Sequence, residues 1–247
     1  MDENINNLFC FYREAGASPS VLLVEKEQFS VVSEKKNGWP QMVFEINFSE
    51  NPALAVSRVL SKIVKQHLPG FALCDAALFG AKELDYLRRE GIYPVKTWTL
   101  MDTAPGIPGI GQRSENIEIR KLNTPEELNA FAGLVNAELL QSTKFDPELA
   151  KELRTKGRSS FYGLFVTGKL VSVLLAFSET KVTGLYFIAT NPAYRRQGLA
   201  SCLIRHVIDA CHPTTKKIVL QAVPGAVPLY THLGFVPRGK LVIFWKR

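Results

Sequence analysis

The stretch Asn191-Pro-Ala-Tyr-Arg-Arg-Gln-Gly-Leu-Ala200 decides how the rest of this chain is read. Before it, Gly184-Leu-Tyr-Phe-Ile-Ala189 is an unbroken apolar run of strand type. After it, residues 201–210 carry the spacing of an amphipathic helix. A glycine at a helix's first turn lets a ligand approach the backbone, and the orphan N–H groups of that turn, with the helix dipole, favour an anion. Arg195 and Arg196 add guanidinium groups suited to phosphate oxygens. Strand, glycine turn and helix together make a pyrophosphate cradle.

Outward from the cradle, the C-terminal half divides into ten elements. Ile117-Glu-Ile-Arg-Lys-Leu122 reads as a strand. Thr124-Pro-Glu-Glu127 opens a helix, with a capping threonine, a proline in the first turn and a carboxylate three residues on. A second helix opens at Asp146-Pro147. Residues 160–166 and 170–177 flank a Thr167-Gly168 turn and form a hairpin. A turn at Glu179-Thr-Lys181 leads into the strand that ends near Thr190. A helix over 195–210, a strand over 217–222, a short helix over 226–233 and a last strand over 240–245 complete the order β-α-α-β-β-β-α-β-α-β.

This order, the Arg-x-x-Gly-x-Ala spacing of Arg195, Gly198 and Ala200, and the closing Leu229-Tyr-Thr-His-Leu-Gly-Phe235 resemble the GCN5-related N-acetyltransferase (GNAT) family over residues 117–247. The resemblance implies a mixed α/β sheet of the acyl-CoA N-acyltransferase fold. It also implies direct, ternary-complex transfer of an acetyl group from acetyl-CoA to a primary amine. In that frame the backbone of Arg196, Gln197, Gly198, Leu199, Ala200 and Ser201 surrounds the pyrophosphate, with the Arg195 and Arg196 side chains beside it. The backbone of Ile188, Ala189 and Thr190 pairs with the pantetheine arm, and a bulge near Ile188 or Ala189 frees an N–H toward the thioester oxygen. Tyr230, four residues before Gly234-Phe235, supplies a proton to the departing thiolate; a phenol with a pKa near 10 is able to do so. The base that deprotonates the amine is less defined. Glu179 is the carboxylate nearest the start of the strand, and a water chain to hydroxyls such as those of Thr183 and Tyr186 is the alternative. Val223 departs from the family pattern, standing where an asparagine often contacts the pantetheine, and Thr190 stands where an aliphatic residue is common.

The N-terminal half carries a fainter echo. Asn51-Pro52 and the helix after it parallel Asn191-Pro192 and its helix, and Leu87-Arg-Arg-Glu-Gly91-Ile-Tyr-Pro94 parallels Tyr230-Thr-His-Leu-Gly234-Phe-Val-Pro237. A repeated offset of this kind marks a duplicated domain. The first copy is degenerate: Ala53-Leu-Ala-Val-Ser57 holds neither an arginine pair nor a glycine, and Leu87 replaces the tyrosine. The expected organisation is a degenerate copy over 1–102, a linker over 103–116 and a catalytic domain over 117–247.

Bulk properties agree with this organisation. The chain has 247 residues, enough for two ordinary domains. Its net charge of +7 is spread along the chain, without a basic tail, which suits a small polyanion better than a nucleic acid. The start of the sequence is acidic and polar, no apolar run reaches membrane-spanning length, and Cys10, Cys74, Cys202 and Cys211 lack disulfide or zinc spacing. The expectation is a cytoplasmic monomer or homodimer that needs no metal and acts on a small-molecule or amino-acid-like amine. A non-catalytic acyl-CoA sensor or partner-binding protein on the same scaffold is the competing expectation.

Overall fold

The computed structural model describes residues 2–49, 51–106, 116–140, 143–211 and 213–246. In chain order the helices are α1 (Glu3–Gly16), α2 (Pro52–Val64), α3 (Ala81–Arg89), α4 (Pro125–Glu138), α5 (Pro147–Thr155), α6 (Leu199–Asp209) and α7 (Val227–His232). The strands are β1 (Val21–Lys26), β2 (Phe29–Glu34), β3 (Gln41–Phe44), β4 (Phe71–Asp75), β5 (Ile92–Thr103), β6 (Ile117–Lys121), β7 (Ser159–Val166), β8 (Lys169–Ser178), β9 (Val182–Thr190), β10 (Lys217–Ala222) and β11 (Val236–Lys246). The ten elements expected of the C-terminal half are all present in order, as a mixed α/β fold. None of the helices among the described residues is long and apolar enough to cross a membrane.

Two compact units interleave along the sequence. A motif unit comprises Met1–Leu8, Met101–Leu220 and Pro228–Val236, and a companion unit comprises Phe9–Leu100, Gln221–Val227 and Pro237–Arg247. The first residues of the chain therefore pack with the C-terminal half, and its last strand packs with the N-terminal half. Of the linker over 103–116, residues 107–115 lie outside the described residues.

In the motif unit the strands run in the order β10-β9-β8-β7-β6. All neighbours are antiparallel except β9 and β10, which are parallel across the α6 crossover. β8 is buried without interruption from Val171 to Phe177, which requires cover on both faces; α4 and α6 both pack on β8 and β9 to provide it. The β7–β8 hairpin turns through Thr167 and Gly168, both left-handed (φ 47° and 78°), as a two-residue type I′ turn demands. The Thr124 hydroxyl accepts from the Glu127 N–H, and the Glu127 carboxylate accepts in return from the Thr124 N–H, closing the capping box on α4. Thr124→Ala is expected to cost about 1 kcal/mol of stability in a urea titration.

The companion unit repeats this plan. β1, β2 and β3 form an antiparallel meander, α2 crosses over, and β4 joins β3 in parallel. β11 then pairs antiparallel with β4, from Leu241 opposite Asp75 to Trp245 opposite Phe71. The buried face of α2, including Val56, Val59, Leu60 and Ile63, packs into a core with Val31, Val43, Ala72 and Phe244.

Candidate functional site

β9 and β10 pair in parallel over three positions only: Val182 with Lys217, Thr183 with Ile218, and Gly184 with Val219. Beyond Gly184 and Val219 that register stops while both strands continue, leaving a fork between Leu185–Thr190 and Leu220. On its other edge β9 bulges. Tyr186 lies opposite Leu175 and Ala189 opposite Val173, so Phe187 and Ile188 share the single partner position of Leu174. Phe187 is left-handed (φ 51°), an outlier for an aromatic residue that re-aims the backbone after it. Its ring packs against Phe145 at 4.9 Å between centroids. The bulge thus starts one residue earlier than the Ile188 or Ala189 expected from the sequence. Ala189 directs its carbonyl toward β8, where the buried Ser172 hydroxyl donates to it at 3.0 Å. Alternation then turns the backbone of Ile188 toward the fork.

The cradle follows directly. The Asn191 side chain accepts from the Ala193 N–H, and a short 3-10 turn, Pro192–Tyr194, leads into Arg195. Arg196 and Gly198 are then both left-handed (φ 63° and 76°), and α6 starts at Leu199 with Gly198 as its N-cap. The helix expected from position 195 therefore begins four residues later, because two left-handed residues cannot continue a right-handed turn. Paired left-handed turns aim successive N–H groups inward as an anion-binding nest. The Cys202 N–H is bound to the Gly198 carbonyl, so those of Leu199, Ala200 and Ser201 precede the helix's own hydrogen bonding. A Cβ built on Gly198 meets nothing within 4 Å, so the approach to the nest is open. Arg196 and Gln197 are exposed, Leu199 is buried as the helix's anchor, and Ala200 and Ser201 are half-buried.

Arg195 is arranged differently from its neighbour. Its Nε donates to the Thr190 carbonyl at 3.0 Å, and its Nη2 is paired with the Glu138 carboxylate at the end of α4. It ties the end of β9 to α4 and shapes the cradle from behind. The sequence carries no signal for Glu138, because the pair joins residues 57 positions apart.

Tyr230 lies on α7, the helix that follows the β10 arm of the fork. Its ring packs edge-on against Phe235 at 5.9 Å, and its hydroxyl has no hydrogen-bond partner among the described residues. Burial pushes the phenol up to about 12, so it stays protonated at neutral pH. Val223, where the family pattern often has asparagine, is exposed.

Glu179 is not brought to this site. It sits in the turn before β9, and about 20 Å of strand separates Val182 from Ile188. Its Oε1 accepts from Arg158 and its Oε2 from Asn7, each at 3.2 Å. Tyr186 is likewise engaged, donating to the Asn7 Oδ1 at 2.7 Å. Asn7 is a residue that the sequence reading passed over.

The companion unit has the same frame and a different interior. Asn51 has nearly the backbone of Asn191 (φ −53°, ψ 126° against φ −51°, ψ 131°), and Glu45 is left-handed (φ 53°) as Phe187 is. There α2 begins on Pro52 itself, and the Asn51 side chain takes the N–H groups of Ala53 and Leu54. Among the described residues between Glu45 and the start of α2, none is left-handed, so no nest is seen there. Leu87, in the place of Tyr230, is fully buried, and the Phe79 ring packs edge-on against both Phe48 and Phe244.

Residues 126–244 match the family model described as an acetyltransferase (GNAT) domain. No curated protein matches the chain in sequence. Among solved structures the chain is similar to a GCN5-related N-acetyltransferase from Kribbella flavida, at 15% identity over 99% of this chain and 96% of that one, with a TM-score of 0.69. It is similar to a GCN5-related N-acetyltransferase from Sphaerobacter thermophilus at 16% identity, covering 91% of this chain and 82% of that one, with a TM-score of 0.64. A tandem GNAT protein from the clavulanic acid biosynthesis pathway matches at 9% identity over 98% of this chain and 94% of that one, with a TM-score of 0.60. At such identities the likeness is one of fold, and it extends over nearly the whole chain.

Proposed function

Residues 126–244 are a GNAT acetyltransferase domain, and from that premise we propose that the chain moves an acetyl group from acetyl-CoA to a primary amine of a small, amino-acid-like molecule. The observation that carries this reading is the left-handed pair Arg196 and Gly198 at the head of α6, set at the end of the strand that bulges and leaves β10. A nest, an open fork and a re-aimed backbone N–H are the receptors for a pyrophosphate, an extended amide chain and a thioester carbonyl, in that order along the chain of acetyl-CoA.

In this reading the cradle over residues 196–201 binds the pyrophosphate. Arg196 adds charge at its rim, and Arg195 holds the loop in shape. Ile188 meets the pantetheine amides, and an N–H freed by the bulge polarises the thioester oxygen. The amine nitrogen attacks the carbonyl carbon, the C–S bond breaks and the leaving sulfur takes the phenolic proton of Tyr230, while the amine gives up its own proton to water and the phenolate regains one from solvent. A phenol near 12 is a weaker acid than a thiol near 8.5 in water. The same dry pocket also raises the thiol and narrows that gap. Glu179, held by Arg158 and Asn7, takes no part in the transfer. The companion unit, whose helix head is capped from within, neither binds acetyl-CoA nor reacts. We place the enzyme in the cytoplasm, where Cys10, Cys74, Cys202 and Cys211 would stay reduced.

The test is release of free CoA thiol from acetyl-CoA across a panel of primary amines, with calorimetry of acetyl-CoA alone. Transfer to a subset of small amines is expected. Tight binding with no turnover on any amine would make the chain an acyl-CoA sensor instead, and absence of binding would remove the reading altogether.

A further inference from the structure

Two asparagines of the first helix are almost wholly buried: Asn4 is 2% exposed and Asn7 is fully enclosed. Spaced i, i+3, they lie on one face of α1. A buried carboxamide is costly unless its hydrogen bonds are made, and an aliphatic residue would fill such a face at lower cost. Both are engaged, and their partners stand on opposite arms of the fork. Asn7 accepts from the Tyr186 hydroxyl on β9, two residues past the last paired position, Gly184. The Asn4 Nδ2 donates to the Leu220 carbonyl on β10 at 3.1 Å, one residue past the last paired position, Val219, and to the Met101 carbonyl at 2.9 Å.

Other contacts fix this placement. Asp2 caps the head of α1 through the Asn4 N–H at 2.8 Å, and Glu3 pairs with Lys217 at the start of β10. Glu179 accepts from the Asn7 Nδ2, which sets the carboxamide so that its oxygen faces Tyr186. Gly184 completes the fit: a Cβ there would lie 2.1 Å from the Asn7 Oδ1 and 2.5 Å from the Tyr186 ring. The strand has no side chain at the one position where α1 must come in.

We infer that residues 3–8 of α1 form a wedge that holds the β9–β10 fork open for the acyl-CoA arm, with Asn4 and Asn7 as positioning residues for the cofactor cleft. The inference rests on the reading of that fork as the acetyl-CoA cleft. With Asn4 bound to Leu220 on one arm and Asn7 bound to Tyr186 on the other, α1 fixes the spacing of β10 and β9 past Gly184. Without the wedge, either the strands pair further or α1 leaves, and the cleft loses its width.

The test is the Asn4→Leu/Asn7→Leu double variant in the full chain, read by acetyl-CoA calorimetry and by hydrogen exchange of the ligand-free protein. About tenfold weaker acetyl-CoA binding is expected, with altered amide exchange over residues 185–190 and 218–221 and unchanged exchange in α4. Thr124→Ala, similarly destabilised at a distant cap, should keep the wild-type Kd, separating positioning from lost stability. Tyr186→Phe, which removes only the hydroxyl that Asn7 receives, serves where the double variant fails to fold and should weaken binding about threefold. A wild-type Kd in the folded variants overturns the inference while leaving the cofactor assignment in place. If the wild-type protein itself does not bind acetyl-CoA, that assignment falls instead. The exchange pattern then still decides on the wedge: unchanged exchange at the fork overturns it.

Discussion

Gly198→Glu should abolish acetyl-CoA binding, weakening Kd by roughly a hundredfold or more in calorimetry while the protein stays folded. Gly198 is left-handed (φ 76°), and a side chain there costs about 1–2 kcal/mol of backbone strain. That is a modest part of the 5–15 kcal/mol typical of a domain. The new Cβ meets no protein atom within 4 Å, so no clash unfolds the chain. What fails is the ligand's side of the turn, where a carboxylate now stands at a nest and helix head suited to an anion and repels the incoming phosphates. Gly198→Ala separates the two effects, since it carries the strain without the charge and should weaken binding far less. Normal binding by Gly198→Glu would show the cradle to be misassigned.

Tyr230→Phe should lower kcat by about a hundredfold, the lower range for a positioned proton donor, with acetyl-CoA affinity nearly unchanged. The ring's contact with Phe235 survives the substitution, so packing is preserved and only the proton is lost. The working form is the protonated phenol. Because burial raises it to about 12, its loss of activity with rising pH falls near pH 12, well above the ordinary tyrosine range. An alkaline limb in kcat between pH 8 and 10 would therefore belong to another group, and it should persist in Tyr230→Phe. Equal loss in kcat and acetyl-CoA affinity would instead mark Tyr230 as a cofactor contact.

What the sequence made legible is local. The capping box at Thr124, the Thr167-Gly168 hairpin and the Arg195–Gly198–Ala200 spacing are each decided within a few residues by propensity and backbone geometry. What stayed hidden is set by distant partners. Phe187 has no preference for a left-handed backbone; its conformation is imposed by Leu174 having to face two residues and by Phe145 receiving its ring. The role of Arg195 turns on Glu138, 57 residues away, and the place of Asn7 turns on Tyr186, 179 residues away. Glu179 drew attention as a carboxylate near the right strand. Sequence proximity did not reveal that it stands at the strand's far end with Arg158 and Asn7 already on its oxygens.

The placement of β11 bears on how such a chain tolerates truncation. Its residues 241–245 are zipped to β4, which belongs to the companion unit. A chain shortened to residues 117–247 would strip β11 of this partner and leave a raw sheet edge, prone to indiscriminate pairing. Residues 71–75 are thus needed as cover for the last strand, whatever else their half of the chain does.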